Sequence, residues 1–488
     1  MSIHYHAAID LGAESGRVMV GRLAEGKLGL FEIHRFPTGV TPVGETLRWE
    51  MDRIFDQIKV GLKKAAAEFP EIASVSADSW GVDYVYFSPE KPVLELPFHY
   101  RDSRTEGGFE RAFARVSRDA IFAETGLQFM PFNSIFQWDD DRANRPELVA
   151  KADGVLLIAD FINYLLSGRA VAEASLASTT QLYHPGRHEW SKSLIQGLGL
   201  EAIPLPEIVP SGTRLGLMRS ELREELGVGE IEVLAGCSHD TGAAVAAVPG
   251  EGDDWAYLSS GTWSLLGLEL PEPLLKPEVL DAGFTNEVGY GGSIRFLKNI
   301  VGLWIVQECR RAWEEKGESY SYDDLTRLAE EALPLQSWID PRDERFAKPG
   351  DMPQKIAAFC RETGQPAPET PGAVIRTVLE SLASLYRVVL ADAERLSGRK
   401  IKRLHLVGGG SKNRLLNQLA ANATGREVLA GPVEATAIGN VLIQALALGE
   451  IQSLAELRGV VRRSFDMERF QPESREKWEW AAQRFGQV

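Results

Sequence analysis

At 488 residues the chain is too long for one compact core, and the length allows two or three domains. Hydrophobic content of 44% and charged content of 25% are those of a soluble globular protein. A formal charge of −16 argues against a general binder of nucleic acid or anionic membranes. Three cysteines (Cys237, Cys309 and Cys360) without metal-ligand spacing fit a reduced, cytoplasmic setting.

In chain order, Met1–His6 shows no basic-then-apolar leader pattern and runs straight into a predicted strand, Ile3–Asp10. A tight turn of small residues, Gly12-Ala13-Glu14-Ser15-Gly16-Arg17, leads to a second strand, Val18–Leu23. Arg53–Ala67 has the spacing of an amphipathic helix, and Glu71–Ala77 and Tyr84–Ser88 are extended. Val155–Leu166 reads as a buried helix with Gly168 as its C-cap; Asp160 and Asn163 interrupt it, and it is too short to span a bilayer. Glu232–Gly236 is strand-like and Thr241–Val248 a helix of small residues. Pro249-Gly250-Glu251-Gly252-Asp253-Asp254 marks the best domain boundary. Beyond it the strand–turn–strand pattern restarts, with the turn Ser259-Ser260-Gly261-Thr262-Trp263-Ser264. Lys298–Gln307 reads as a helix that sets Asn299 and Gln307 on one face. Asp340–Pro371 is surface loop around a short helix, and the tail beyond Ala455 is helical, docked by Phe465, Phe470 and Trp478.

Two glycine–serine turns at the heads of two similar halves suggest a duplicated phosphate-binding architecture, because such turns expose backbone N–H groups to an anion. Val407-Gly408-Gly409-Gly410-Ser411 is a strand–turn–helix junction where glycines admit a ligand close to the backbone, with Ser411 as the helix N-cap. It is not a Walker loop, and a plain tight connection is its alternative. Ser238-His239-Asp240-Thr241-Gly242 lies between a strand and a helix, where open α/β sheets place ligands. There the helix dipole would keep Asp240 ionised, fit to take a proton from an alcohol during phosphoryl transfer. The alternative is that Asp240 only caps the helix. Asp78-Ser79-Trp80-Gly81-Val82-Asp83-Tyr84 suits a polyol pocket, with the ring against the sugar and carboxylates on its hydroxyls, or else a turn with a core Trp.

With these segments assembled, the chain resembles the FGGY carbohydrate kinases along nearly its whole length. The resemblance is carried by Asp10-Leu11-Gly12-Ala13-Glu14-Ser15-Gly16-Arg17, Trp80-Gly81-Val82-Asp83-Tyr84, Tyr100-Arg101-Asp102-Ser103-Arg104-Thr105, Ser238–Thr241, Leu258–Ser264, Lys298-Asn299-Ile300 and Val407–Gly410. It implies an α/β fold of two ribonuclease-H-like domains of the actin and hexokinase type with an interdomain cleft. Residues 1–249 would bind the sugar and carry the base and first phosphate turn; 250–488 would bind ATP, with a helical tail at 455–488. The cofactors implied are ATP and Mg2+, with Asp10 placing the metal directly or through water. Asp240 would be the general base on the sugar's primary hydroxyl. Gly81, Asp83, His239, Asp240, Thr241 and Asn299 would contact the ketose. Ala13, Glu14, Ser15, Gly16, Arg17, Thr262, Gln307 and Gly409 would contact ATP. Glu14 stands where the family has Ser, so its side chain is expected to point away from the phosphates; Asn422 and Gly439-Asn440 are further departures on the adenine side. The implied reaction converts L-rhamnulose and ATP to L-rhamnulose 1-phosphate and ADP. Another ketose such as L-fuculose is the alternative substrate, and an actin-fold ATPase or sensor the rival of another class. The expected partners are the ketose and ATP, with no nucleic acid or membrane, in a monomer or weak homo-oligomer.

Overall fold

A computed structural model describes residues 3–488, leaving Met1 and Ser2 of the leader reading outside the described residues. The chain divides into two compact units. The first comprises Met1–Pro249, Glu269–Phe296 and Ala435–Ser464; the second comprises Gly250–Leu268, Leu297–Glu434 and Phe465–Val488. The division expected from sequence kept 250–488 together, whereas two of its segments lie with the first unit. The helix Ala435–Ala447 is buried on nearly every side, as an all-round apolar helix must be. Its polar side chains bond to the first sheet: Gln444 Nε2 donates to Ala7 O at 2.9 Å and Asn440 Nδ2 to Ser76 O at 3.2 Å.

The first unit is built on β1 (Ile3–Leu11), β2 (Ser15–Ala24), β3 (Lys27–Pro37), β4 (Ile72–Ser79), β5 (Thr213–Leu217) and β6 (Glu232–Ala235). Their order in the sheet is β5-β6-β4-β1-β2-β3. β1, β4 and β6 are parallel, while β2, β3 and β5 run antiparallel to their neighbours. The helix Met51–Glu68 buries Ile54, Ile58 and Leu62, four residues apart and hence on one face. Each such side chain contributes about 1.5–3 kcal/mol on burial.

A second sheet contains β7 (Trp255–Ser260), β8 (Trp263–Leu270), β9 (Ile294–Val301), β10 (Arg403–Val407), β11 (Glu427–Ala430) and β12 (Glu468–Phe470), all in the second unit except β8 beyond Leu268 and β9 before Leu297. Six strands of this seven-stranded sheet run in the order β9-β8-β7-β10-β11-β12 and repeat the plan of the first sheet, a hairpin whose first strand is followed by parallel neighbours and an antiparallel edge. The long helix Pro371–Ser397 is bounded by its caps: Thr370 accepts from Ala373 N, Pro371 opens the first turn, and Gly398 ends it at φ +73°.

Two expectations of local structure change. Lys298 and Asn299 lie on β9, and the helix begins only at Trp304, so Asn299 and Gln307 do not share a helical face. The run Ile294-Arg295-Phe296-Leu297-Lys298-Asn299-Ile300-Val301 is strand-forming, and Gly302 ends it; apolar runs of this length do not separate helix from strand by periodicity. Likewise Val155–Leu166 divides into a strand, Gly154–Leu157, and the helix Ile158–Ser167, with Gly168 in the expected left-handed C-cap. No described helix is long and apolar enough to cross a membrane.

Candidate active site

The register of the first sheet sets two carboxylates side by side. Asp10 pairs with Arg17 across the β1–β2 hairpin and with Asp78 on the parallel strand β4. Arg17 forms an ion pair with Asp10. Asp78 is fully buried; Asn440 Nδ2 donates to its Oδ2 at 2.6 Å, and Oδ1 is buried with no hydrogen-bond partner. Burial first, and the charge of Asp10 second, hold the Asp78 carboxyl well above the usual carboxylate range. In the β1–β2 turn, Gly12 N donates to Ser15 O at 3.0 Å, and Thr38 occupies the carbonyls of Gly12 and Glu14. The carbonyls of Gly12, Glu14 and Ser15 are thus taken up within the protein, and Glu14 is exposed.

Asp240 is the first residue of the helix Asp240–Ala246, and His239 is its N-cap. By position it is the first helical residue and not the N-cap, and its Oδ1 accepts from the first-turn amide of Thr241 at 2.6 Å, as the capping alternative would have it. A helix dipole alone would keep this group ionised; instead burial, reinforced by the charge of Asp10, raises the Asp240 carboxyl to about 7. Desolvation outweighs a dipole contribution of roughly 0.3–1 kcal/mol from a single helix terminus.

Residues outside the sequence motifs fix the segment that carries it. Glu173, fully buried, accepts from Ser238 N at 3.0 Å, Ser175 N at 3.0 Å and Ser211 Oγ at 2.5 Å. Ser175 Oγ in turn accepts from His239 N at 3.1 Å. Arg295 donates to Thr241 Oγ1 at 2.7 Å and to Glu287 at 2.9 Å, and it contacts His239 Nδ1 at 2.8 Å. Burial, then the charge of Arg295, keep the His239 imidazole well below its ordinary range and neutral.

Ser79 N donates to Ser238 O at 2.9 Å, which brings the Trp80–Asp83 turn beside the Asp240 segment, at the carboxyl ends of parallel strands. Val82 has φ +69°, and Asp83 N donates to Gly81 O at 2.9 Å; this is the rare, strained form of the three-residue turn. It is clamped from both sides: Val82 N donates to Thr179 Oγ1 at 3.1 Å, and Val82 O accepts from Ser134 Oγ at 2.6 Å. A Cβ on Gly81 would stand 2.7 Å from Thr179 Oγ1, so the clamp also requires glycine there. Asp83 is fully buried, and protein donors take its carboxylate: Trp49 Nε1 at 2.7 Å, Trp80 Nε1 at 3.0 Å, Tyr100 N at 3.1 Å and Gln137 Nε2 at 3.3 Å. Burial lifts it to about 6 against these donors. Its contacts are therefore those of a group that orients the aromatic wall, in which Trp49 lies 4.3 Å from Trp80 and 4.4 Å from His99.

In the second unit, Thr262 Oγ1 and the Gln307 amide are 3.3 Å apart, and Thr262 O accepts from Gly302 N and Trp304 N. The turn after β7 is thus tied to the start of the helix Trp304–Glu314. The glycine run packs on the same turn: a Cβ on Gly410 would lie 2.1 Å from Ser260 Oγ, whereas one on Gly409 would meet nothing. Gly409 is the exposed member of the run. Ser411 is not the N-cap of the next helix; Asn413 is, accepting from Leu416 N at 2.9 Å, because Gly409–Lys412 forms a separate short turn.

The predicted residues therefore fall into two groups. Asp10, Ala13–Arg17, Gly81, Asp83 and His239–Thr241 belong to the first unit, and Thr262, Asn299, Gln307 and Gly409 to the second. Glu173, Glu287, Arg295 and Trp49 join the first group without having been singled out from sequence, and Asp78, read there as part of a polyol pocket, joins it as the partner of Asp10. Among the described residues no group of three or more His, Cys, Asp or Glu is placed to hold a metal ion by itself. Asp10 and the orphaned Asp78 Oδ1 nonetheless fit a hydrated Mg2+ arriving with a nucleotide, since that ion takes one or two carboxylates and completes its shell with phosphate and water.

Residues 5–247 match the N-terminal domain of the FGGY family of carbohydrate kinases, and residues 256–448 match its C-terminal domain. The chain is 43% identical to a rhamnulokinase of Bacteroides thetaiotaomicron over 97% of either chain. It is 40% identical to a rhamnulokinase of Halalkalibacterium halodurans, over 97% of this chain and 100% of that one. Solved structures share the two-domain α/β fold across 99% of the chain. A gluconate kinase from Lactobacillus acidophilus aligns at a TM-score of 0.79 with 15% identity and 96% of its own length covered. A glycerol kinase from Plasmodium falciparum with ADP aligns at 0.80, also with 15% identity and with 97% covered.

Proposed function

The chain belongs to the FGGY family of carbohydrate kinases and is a sugar kinase, and we propose that it phosphorylates L-rhamnulose at O1 with Mg-ATP, using Asp240 as the general base. The observation that carries the reading is a carboxyl raised to about 7 at the head of a helix, beside the strained Gly81–Asp83 turn. A base poised near neutral pH is matched to proton transfer from an alcohol. Relatives named rhamnulokinase, at 38–43% identity, support the choice of L-rhamnulose.

Asp240 accepts the O1 proton as O1 forms its bond to the γ-phosphorus and the bond from phosphorus to the departing ADP oxygen breaks. His239, Thr241, Asn299 and Gly81 orient the ketose. Asp83 acts one step removed, by fixing Trp49 and Trp80. The amides of the Ala13–Arg17 turn and the groups of Thr262, Gln307 and Gly409 hold ATP. When bound at Asp10, Mg2+ would offset phosphate charge. The cytoplasm is the proposed setting, supported by three free, buried cysteines.

ADP release measured with L-rhamnulose, L-fuculose, L-ribulose, D-xylulose and glycerol tests the substrate. L-Rhamnulose is expected to give the highest kcat/KM. A preference for L-fuculose moves the assignment to that ketose, and a preference for glycerol or D-xylulose overturns it. The pH profile tests the base. Because only ionised Asp240 can accept the proton, kcat/KM should be level above pH 7 and fall about tenfold per unit well below it. A profile flat from pH 5 to 8 would remove Asp240 from that role.

A further inference from the structure

We infer that Arg295 is a positioning residue for phosphoryl transfer: its buried guanidinium fixes the tautomer of His239 and the direction of the Thr241 hydroxyl, and so decides which donors face Asp240 and the sugar. The inference rests on the reading of Asp240 as the base.

The Arg295 side chain is fully buried. Glu287 Oε2 at 2.9 Å and Val288 O at 3.3 Å anchor its Nη2 and Nε. Its remaining reach is to Thr241 Oγ1, 2.7 Å from Nη1, and to His239 Nδ1, 2.8 Å from Nη2. A guanidinium has donors and no acceptor, so His239 Nδ1 can only accept. The ring proton must then sit on Nε2, which lies 3.3 Å from Asp240 Oδ1 and 3.1 Å from Thr241 Oγ1. Thr241 Oγ1 accepts from Arg295, which leaves its own proton to be donated outward. Asp240 Oδ1 already accepts from Thr241 N and faces His239 Nε2–H, so Oδ2 is the oxygen presented to the sugar hydroxyl. One cation thereby sets three polar groups, and its charge also favours the neutral ring. A lysine could keep the ion pair with Glu287 but could not span both His239 and Thr241, because its ammonium is a point charge and not a planar fork.

Nitrogen NMR of the imidazole rings reads the tautomer directly, with the His239 signal assigned by its loss in His239→Gln. The intact protein should show a neutral His239 protonated at Nε2. Arg295→Lys should give a mixed tautomer and a fall in kcat of about 10- to 100-fold, with the KM for ATP little changed. Protonation at Nδ1 in the intact protein overturns the inference. So does an Arg295→Lys enzyme that keeps both the tautomer and kcat. Should Arg295→Lys fail to fold, the tautomer of the intact protein still decides. Asp240→Asn separates the two readings: the Nε2–H signal should persist there while turnover is lost, and turnover that persists would sink the base while leaving the tautomer result standing.

Discussion

Replacing Asp240 with Asn should lower kcat for ketose-dependent ADP release by about 10²–10⁴-fold, the range that a positioned general base contributes. The amide keeps the shape and can still take the hydrogen bond from Thr241 N, so the ketose KM should move little. The same change should stabilise the fold, and in a pH-dependent way. The Asp240 carboxyl is at about 7 in the folded chain against an ordinary value of 3.8, so between these limits the folded state binds the proton more tightly than the unfolded one. Stability of the parent protein therefore falls as pH rises from about 4 to 7, and the Asp240→Asn variant escapes that loss. Melting curves should separate across this interval and stay separated above it. Wild-type turnover in the variant would exclude Asp240 as the base, and coincident melting curves at every pH would mean that its charge is not desolvated.

Gly439→Ala is the second large effect expected, at a contact between two helices. A Cβ there would stand 1.9 Å from the carbonyl oxygen of Ala243 and 2.6 Å from its carbonyl carbon. These are backbone atoms, with no side chain able to swing aside. The helix Ala435–Ala447 and the helix Asp240–Ala246 must separate, and overpacking of this kind typically costs about 1–3 kcal/mol or more. Ala243 lies one turn from Asp240, so the displacement should also reach the base. Denaturant titration should show the loss of stability, and kcat should fall further than the fraction unfolded explains. A Gly439→Ala enzyme with the parent's midpoint and kcat would mean that the helices have room to give.

Much of this architecture was legible because local chemistry dictates it. Strand–turn–strand units with Gly and Ser at their tips can hardly be anything else, and both hairpins lie where the sequence puts them. The Ser238–Thr241 segment was legible for the same reason, as a strand end running into a helix. The signals that failed were those decided by distant partners. Asp240 was expected to be ionised from its own helix, and burial, with the carboxylate of Asp10 two strands away, reverses that. Asp83 looked like a sugar ligand until Trp49, from far upstream, proved to hold it. Arg295 sits in an ordinary strand sequence, and its meaning emerges only where residues near 240 and 287 meet it. Lys298–Gln307 failed differently: Gly302, which separates strand from helix, was absorbed into one apolar run.

The return of Ala435–Ser464 to the first unit has a consequence for biosynthesis. Domains emerging from a ribosome tend to fold in order, N-terminal first. Here the unit that opens the chain lacks the helix beneath Asp78 and against Ala243 until almost everything else has been made. The nascent N-terminal portion must wait, incomplete, while the second unit is translated. A fragment ending at the boundary after Pro249 would be missing part of its own interior, and the base-bearing unit is complete only once Ser464 has been made.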